Sequence, residues 1–473
     1  MNYAKWMNLY ELRDKLTKVT KDGTVNRSGI PLSYDNDSLY INNNEHHTIV
    51  IGATGSGKTQ TIILPQMKLS MMANESFVIN DPNGEIYLGY KNVLEKNGYN
   101  VYALNFQNTE YGNNWNPLSI PYKLYKNGKK DEAQKFLESI GNYLFNTSKT
   151  NSSDPFWNNC ATQYFIGISL YLFEKANEEE INLNSIYEIT CQGEDQVEGE
   201  TYFNRILKSF PTSSPIYLSL STTIQSPTET RGGIIAVFKQ ALNLFISRKN
   251  LANMLSSSDF DVESILSEKV AVFLIGRTDT YTSHLEPMFI NQLYLCAEQK
   301  NTFTGRINIL LDEFDTYLPI NNICSILNSS RSLGLRFTFI IKSLMDLERQ
   351  YGKEEGDMLK YTIGNFIYLL SNDLNTQRQI CELCGNSSAN TPLITIEELK
   401  VLEMFEAIVL MPRFYPIRTK LLPDFKIPWP YVAEKCEYSK RQETDIKIYD
   451  IKKYNWFVLF SALPLINYNS IIY

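Results

Sequence analysis

Residues 52 to 59 read Gly52-Ala53-Thr54-Gly55-Ser56-Gly57-Lys58-Thr59, a spacing that suits one kind of chemistry, the cradling of phosphate oxygens. Glycines at 52, 55 and 57 let backbone N–H groups turn inward, and the Ser56 and Thr54 positions keep the loop polar. Lys58 is placed to reach the β and γ phosphates, and the Thr59 hydroxyl is placed to coordinate Mg²⁺ at a helix N-terminus. The pattern implies binding of a nucleoside triphosphate, with ATP and Mg²⁺ as the expected ligands.

Phosphate binding alone is not hydrolysis, which needs an acid to hold the metal shell and a group to activate water. The apolar run Ile307-Asn308-Ile309-Leu310-Leu311 ends in Asp312-Glu313. An apolar strand that terminates in two carboxylates is the Walker B arrangement. Asp312 is expected to hold Mg²⁺ through water, and Glu313 to orient or deprotonate the attacking water. An acidic pair after a strand is by itself usually a solvated loop start; the P-loop upstream gives it meaning. Arg331, in Ser329-Ser330-Arg331-Ser332-Leu333-Gly334, is the candidate to reach a γ-phosphate on a neighbouring subunit.

These residues require strands and helices to position them. Thr48 to Ile51 supplies a strand before the P-loop, and Ile62, Ile63, Met67 and Met71 supply a periodic helix after it. Further short apolar runs lie at Phe77 to Ile79, Val101 to Leu104, Val270 to Ile275, Ile307 to Leu311, Phe337 to Ile341, Phe366 to Leu370 and Ala407 to Met411. Continuous apolar strands alternating with helical segments predict an α/β fold with a mainly parallel sheet covered on both faces. Between Leu104 and Val270 the pattern turns to helical periodicity, as in Ala133 to Leu144, Cys160 to Phe173 and Gly232 to Phe245. The expected organisation is a nucleotide-binding domain over 46–124 and 263–430, interrupted by an inserted all-α domain over 125–262. Residues 1–45 form the lead-in, with Leu9, Leu12, Leu16 and Val19 on one amphipathic helix, and 431–473 form a C-terminal tail.

Bulk properties exclude several classes. The chain has 473 residues, a net charge of −7 and a pI near 5.4, so no general basic field draws it to nucleic acid or anionic lipid. The nearest approach to a basic cluster, Lys123, Lys126, Lys129 and Lys130 around Tyr122 and Tyr125, reads as a solvated loop or helix start. Seven cysteines do not form a disulfide framework and suit a reducing cytosol. Cys381-x-x-Cys384 reads as two half-buried thiols one turn apart on a helix. No segment reaches the roughly 18 apolar residues of a membrane span. The longest candidate, Trp456 to Ile466, is broken by Pro464, and Lys5, Glu11, Arg13 and Asp14 interrupt any signal-peptide core. The expected location is cytoplasmic.

Taken together, the motifs resemble the type IV secretion coupling proteins, the conjugative DNA-pumping ATPases of the TraG/TraD class. The resemblance runs from Gly29-Ile30-Pro31-Leu32 to Lys420 and rests on ordered matches: His47 to Thr59 with Pro65, Asp81-Pro82-Asn83-Gly84-Glu85, Asn116-Pro117-Leu118, and Asp154-Pro155-Phe156-Trp157. Arg231 to Leu242, Leu311 to Phe314, Arg331 to Gly334, Ser343 to Gly352 and Pro416 to Lys420 follow. It implies a RecA-like domain plus an all-α domain in a homohexameric ring beneath a secretion channel, moving single-stranded DNA with its attached relaxase. It also implies that Arg331 acts in trans and that Asp154 to Trp157 opens the helical domain meeting DNA, relaxosome proteins or substrate. On composition alone Phe156 and Trp157 read as core aromatics.

Three departures from the family pattern bear on mechanism. Lys342 stands where a γ-phosphate-sensing glutamine is usual; it can donate to phosphate but cannot accept from water. Asn83-Gly84 favours a tight turn where the family carries a lysine. Transmembrane helices typical of the family's start are absent, so Met1 to Asn26 is expected to act beside a separate anchor, with contact to the cytoplasmic face of the membrane through a partner. Two other functions fit the same residues: a nucleotide-gated recruitment adaptor with little hydrolysis, and a double-stranded DNA pump of the FtsK/HerA type.

Overall fold

The computed structural model describes residues 3–20, 25–35, 38–145, 155–276, 282–300, 305–316 and 318–453. The chain divides into two compact units, one of residues 1–113 with 260–441 and one of residues 114–259 with 442–473. The helical unit therefore starts earlier than the expected 125. The segment read as a single tail is shared, with 431–441 in the first unit and 442–453 in the second.

The first unit is built on a nine-stranded sheet. In sheet order its strands are Ile417–Lys420, Glu406–Leu410, Asn365–Leu370, Thr48–Gly52, Leu335–Ile341, Ile307–Leu311, Ser76–Asn80, Val270–Ile275 and Asn100–Asn105. The seven from Asn365–Leu370 to Asn100–Asn105 run parallel. Their apolar runs are continuous because helices cover both faces: Ile49, Val50, Ile51, Val78, Ile309, Leu310 and Val272 are wholly buried. The Ala407 run pairs antiparallel with its neighbour, as does the short Ile417–Lys420 edge strand. Composition does not separate an antiparallel edge from a parallel one.

The expected N-terminal amphipathic helix is only partly present. A helix covers Leu9–Lys15, capped by the Asn8 side chain accepting from Glu11 N, and Leu12 is its buried residue. Val19 instead lies in the strand Thr17–Thr20, which joins Ser38–Asn42 and Ile30–Asp35 in a three-stranded antiparallel sheet. Thr17, Val19 and Thr20 are β-branched and favour the pleated conformation, and one inward residue in four leaves no periodic signature.

After the P-loop, a π-turn over Thr59–Ile63 leads into the helix Leu64–Ala73. That helix is buried almost all round and carries a buried ion pair, Lys68 Nζ to Asp424 Oδ2 at 2.7 Å. A strap of residues 434–441 runs along the Glu85–Lys96 helix. Glu434 N donates to Gly89 O, Cys436 N to Leu88 O and Arg441 N to Glu110 O, and the Tyr438 ring stacks on Tyr87.

The second unit is helical apart from a hairpin of Gln196–Val197 and Glu200–Thr201. Its central helix, Pro155–Lys175, buries Tyr164, Phe165, Ile168 and Leu172. At Gly167 it passes the Pro215–Ile224 helix so closely that a Cβ would lie 2.7 Å from the Leu220 side chain. Asn116 staples the start of the unit, its amide donating to Ile181 O and Ser256 O while its Oδ1 accepts from Leu118 N. Phe156 is not a core residue: it is 46% exposed, and only Trp157 turns inward, toward Gly233. Asp154 and the Trp456 to Ile466 segment lie outside the described residues. Lys126 and Lys130 sit over the Tyr122 and Tyr125 rings at neighbouring helix ends. Among the described residues no helix is long and apolar enough to cross a membrane.

Candidate active site

The site forms at the C-terminal edge of the parallel sheet, where three neighbouring strands end. The Thr48–Gly52 strand delivers the P-loop, the next strand delivers Lys342, and the one beyond delivers Asp312-Glu313. Parallel strands in register bring these three ends to one line, as ligand sites in open α/β sheets require.

The P-loop is wound as its glycines demand. Gly55 and Gly57 take φ of 80° and 89°, the left-handed region that side chains disfavour. A Cβ on Gly52 would lie 2.4 Å from Ser56 Oγ and 2.8 Å from Lys58 Cγ, so the loop closes on itself only with glycine there. Ala53 N donates to Leu370 O at 2.8 Å, which ties the loop to the adjoining strand. Lys58 Nζ donates to Gly52 O at 2.8 Å and Ala53 O at 3.0 Å. Ser56 Oγ is buried with no hydrogen-bond partner among the described residues. Thr54 and Gly55 face solvent, and Thr59 opens the π-turn.

The acidic side of the site is equally defined. Asp312 Oδ1 accepts from Glu313 N at 2.9 Å, and Glu313 is exposed with φ of 50°, a strained left-handed turn for a non-glycine residue. Burial raises the Asp312 carboxyl pKa, and the Lys58 charge offsets this only in part. Burial likewise lowers the Lys58 ammonium, against the pull of Asp312, Asp315 and Glu313 and with a further push from Lys342. Desolvation therefore outweighs mutual pairing at both ends. A polyanion beside Lys58 and a divalent cation beside Asp312 would each meet an under-compensated charge. Together with the orphaned Ser56 hydroxyl and the glycine cradle, this donor set fits a magnesium–nucleoside polyphosphate.

Lys342 is in the site but is already engaged: its ammonium donates to Asp315 Oδ2 at 2.9 Å. Asp315 was not expected from sequence, although the acidic triplet Asp312, Glu313 and Asp315 was visible. Phe405 was also missed; a Cβ on Gly57 would lie 2.8 Å from its ring. Arg331 is not brought to this cluster. It is exposed at the end of the Ile323–Ser330 helix, with Nη1 3.4 Å from His46 Nδ1. Both residues precede parallel strands, so they lie at the opposite edge of the sheet, roughly 20 Å from the P-loop by strand length. Asp81 serves the fold: Oδ2 accepts from Tyr87 N at 2.8 Å, capping the Glu85–Lys96 helix. Gly84 in the following turn has φ of 73° and lies under Tyr438.

A P-loop nucleotide-binding α/β protein is the class this sheet and site define. The chain matches the profile of the family described as Type IV secretory system Conjugative DNA transfer over residues 5–396, most of its length, and it belongs to that family. Among solved structures it is similar to the bacterial conjugative coupling protein TrwBdeltaN70 with sulphate. The TM-score is 0.65 at 14% identity, covering 93% of this chain and 96% of that one. TrwB with the non-hydrolysable GTP analogue GDPNP gives a TM-score of 0.66 at 14% identity, covering 94% and 96%. VirB4 of Thermoanaerobacter pseudethanolicus gives 0.51 at 13% identity, covering 85% and 98%. At these identities the likeness establishes a shared RecA-like fold. No curated protein matches the chain in sequence.

Proposed function

We propose that this chain is an ATP-driven coupling protein that recruits single-stranded DNA with its relaxase and moves it to a type IV secretion channel. The observation that carries the reading is the meeting of Lys58, Asp312 and Glu313 at the ends of two parallel strands that flank a third, in a chain of the conjugative DNA transfer family. TrwB, similar in fold, is described in complex with the non-hydrolysable ATP analogue ADPNP and with ADP and Mg²⁺.

In this reading Gly52, Thr54, Gly55, Ser56 and Gly57 form the phosphate cradle, and Lys58 exchanges the loop carbonyls it now bonds for phosphate oxygens. Thr59 and Asp312 hold Mg²⁺, which neutralises charge on the phosphate oxygens. Glu313, exposed at the strand end, accepts a proton from the attacking water. Arg331 cannot reach the P-loop of its own subunit, which supports its expected action on a neighbouring one in a homohexameric ring. The helical unit, with Phe156 exposed in the first turn of its Pro155–Lys175 helix, is the proposed substrate-facing domain. We place the protein at the cytoplasmic face of the membrane, held there through a partner.

ATP turnover by the purified chain, with and without single-stranded DNA, tests this. The reading expects DNA-stimulated hydrolysis that Lys58→Ala abolishes. Tight nucleotide binding with no turnover under any DNA condition would instead establish the second reading, a nucleotide-gated recruitment adaptor, which the Lys342–Asp315 ion pair favours. Stimulation by double-stranded DNA alone would identify a duplex pump.

A further inference from the structure

We propose that Lys342 and Asp315 form a partner-exchange switch that reads the terminal phosphate, with Asp315 as the positioning residue that holds the lysine until a triphosphate draws it away. The inference rests on the nucleotide-site reading above and adds to it a regulation of that site.

Three observations carry it. The first is place: Lys342 follows the last residue of the strand lying between the P-loop strand and the strand that leads into Asp312. Its ammonium shares one electrostatic neighbourhood with Lys58, Asp315 and Glu313. The second is asymmetry. The Asp315 side chain is 5% exposed and that of Lys342 is 43% exposed, so the acid is fixed and desolvated while the base ends a flexible stem at the water boundary. The third is an unmet need: Asp315 Oδ2 accepts from Lys342, whereas Oδ1 is buried with no partner among the described residues.

A buried carboxylate that loses its cation is costly to the fold, and among the described residues Asp315 has no second donor to fall back on. Engagement of a γ-phosphate by Lys342 is therefore opposed by Asp315. Once only a diphosphate remains, the ion pair re-forms. The exchange bears on two elements at once. Asp315 lies in the turn Phe314–Thr316 directly after Glu313, and Lys342 directly precedes Ser343, which caps the Leu344–Tyr351 helix with Asp346. Burial would depress the Lys342 ammonium, but the Asp315 hydrogen bond and charge more than offset it, so the lysine stays charged and available to exchange. A neutral glutamine at this position has no ion pair to give up.

The test is the ratio of affinities for a non-hydrolysable ATP analogue and for ADP, both with Mg²⁺, measured by displacement of a fluorescent nucleotide from the full chain. Asp315→Asn frees the lysine and should raise the preference for the triphosphate by about tenfold. Lys342→Gln should shrink that preference, and Asp315→Asn added to Lys342→Gln should change it no further. Lys342 is half exposed, so its variant keeps the test open even if Asp315→Asn does not fold. An unchanged ratio in either single variant, or an equal shift from Asp315→Asn when Lys342 is already Gln, overturns the switch while leaving the nucleotide site standing. Failure of the folded wild-type chain to bind either nucleotide overturns both.

Discussion

At the scale of residues, the chemistry of the proposed site depends on how its carboxylates are held. Asp312 is partly buried, accepts from the following backbone N–H and lies within the field of Lys58, which suits a group that holds a metal shell. Glu313 is turned out to water by a left-handed backbone, which suits a group that handles a water proton. Glu313→Gln keeps the shape and removes the base. ATP turnover should fall by about 10²–10⁴-fold while binding of an ATP analogue stays near wild type. Turnover at the wild-type rate in that variant would remove Glu313 from the mechanism. The P-loop and the Asp312-Glu313 pair were legible because their spacing is fixed by backbone geometry within one turn. Asp315 was not, because its meaning lies in a pairing with Lys342 on another strand, which no local spacing reports.

At the scale of elements, seven of the eight apolar runs became parallel strands because a parallel sheet buried on both faces leaves no room for polar alternation, and the eighth joined it antiparallel. The short strands Thr17–Thr20 and Ile417–Lys420 escaped, since four residues with only one or two buried look like many loops. What joins the central elements is partly polar. His47, just before the P-loop strand, pairs Nε2 with Leu327 O at 2.9 Å and accepts at Nδ1 from Phe337 N at 3.1 Å, which requires a neutral ring. Burial lowers its pKa from 6.5 to about 4, aided by Arg336 and Arg331. Between those values the unfolded chain binds a proton that the folded chain refuses, so stability is complete above pH 6.5 and falls as pH drops toward 4. His284, lowered by burial to about 4, adds to this slope; Asp81, raised by burial to about 6, opposes it in the lower part of the window. His47→Gln should flatten the pH dependence of the urea midpoint between pH 4 and 6.5. An unaltered slope would show that the ring is not the titrating group.

At the scale of the whole molecule, the sequence pattern placed a helical segment inside the nucleotide-binding unit. In the structure, residues 442–453 return to the helical unit, Tyr449 N donating to Ser185 Oγ and Ile451 N to Gln192 Oε1, a long-range pairing with no local signal. The separation of Arg331 from the P-loop makes a further demand: if the arginine acts on phosphate, it acts between subunits. Arg331→Ala should lower turnover by about 10³-fold or more. Mixing it with Lys58→Ala chains should restore part of the activity, because some sites then combine an intact P-loop with an intact arginine. No recovery on mixing would contradict action in trans. The central claim, that hydrolysis drives movement of DNA, is tested most directly by displacement of streptavidin from the end of a biotinylated single-stranded oligonucleotide. The account predicts displacement by the wild-type chain with ATP and Mg²⁺, and none by Lys58→Ala or with a non-hydrolysable analogue. ATP hydrolysis on bound single-stranded DNA with no displacement of streptavidin would contradict it.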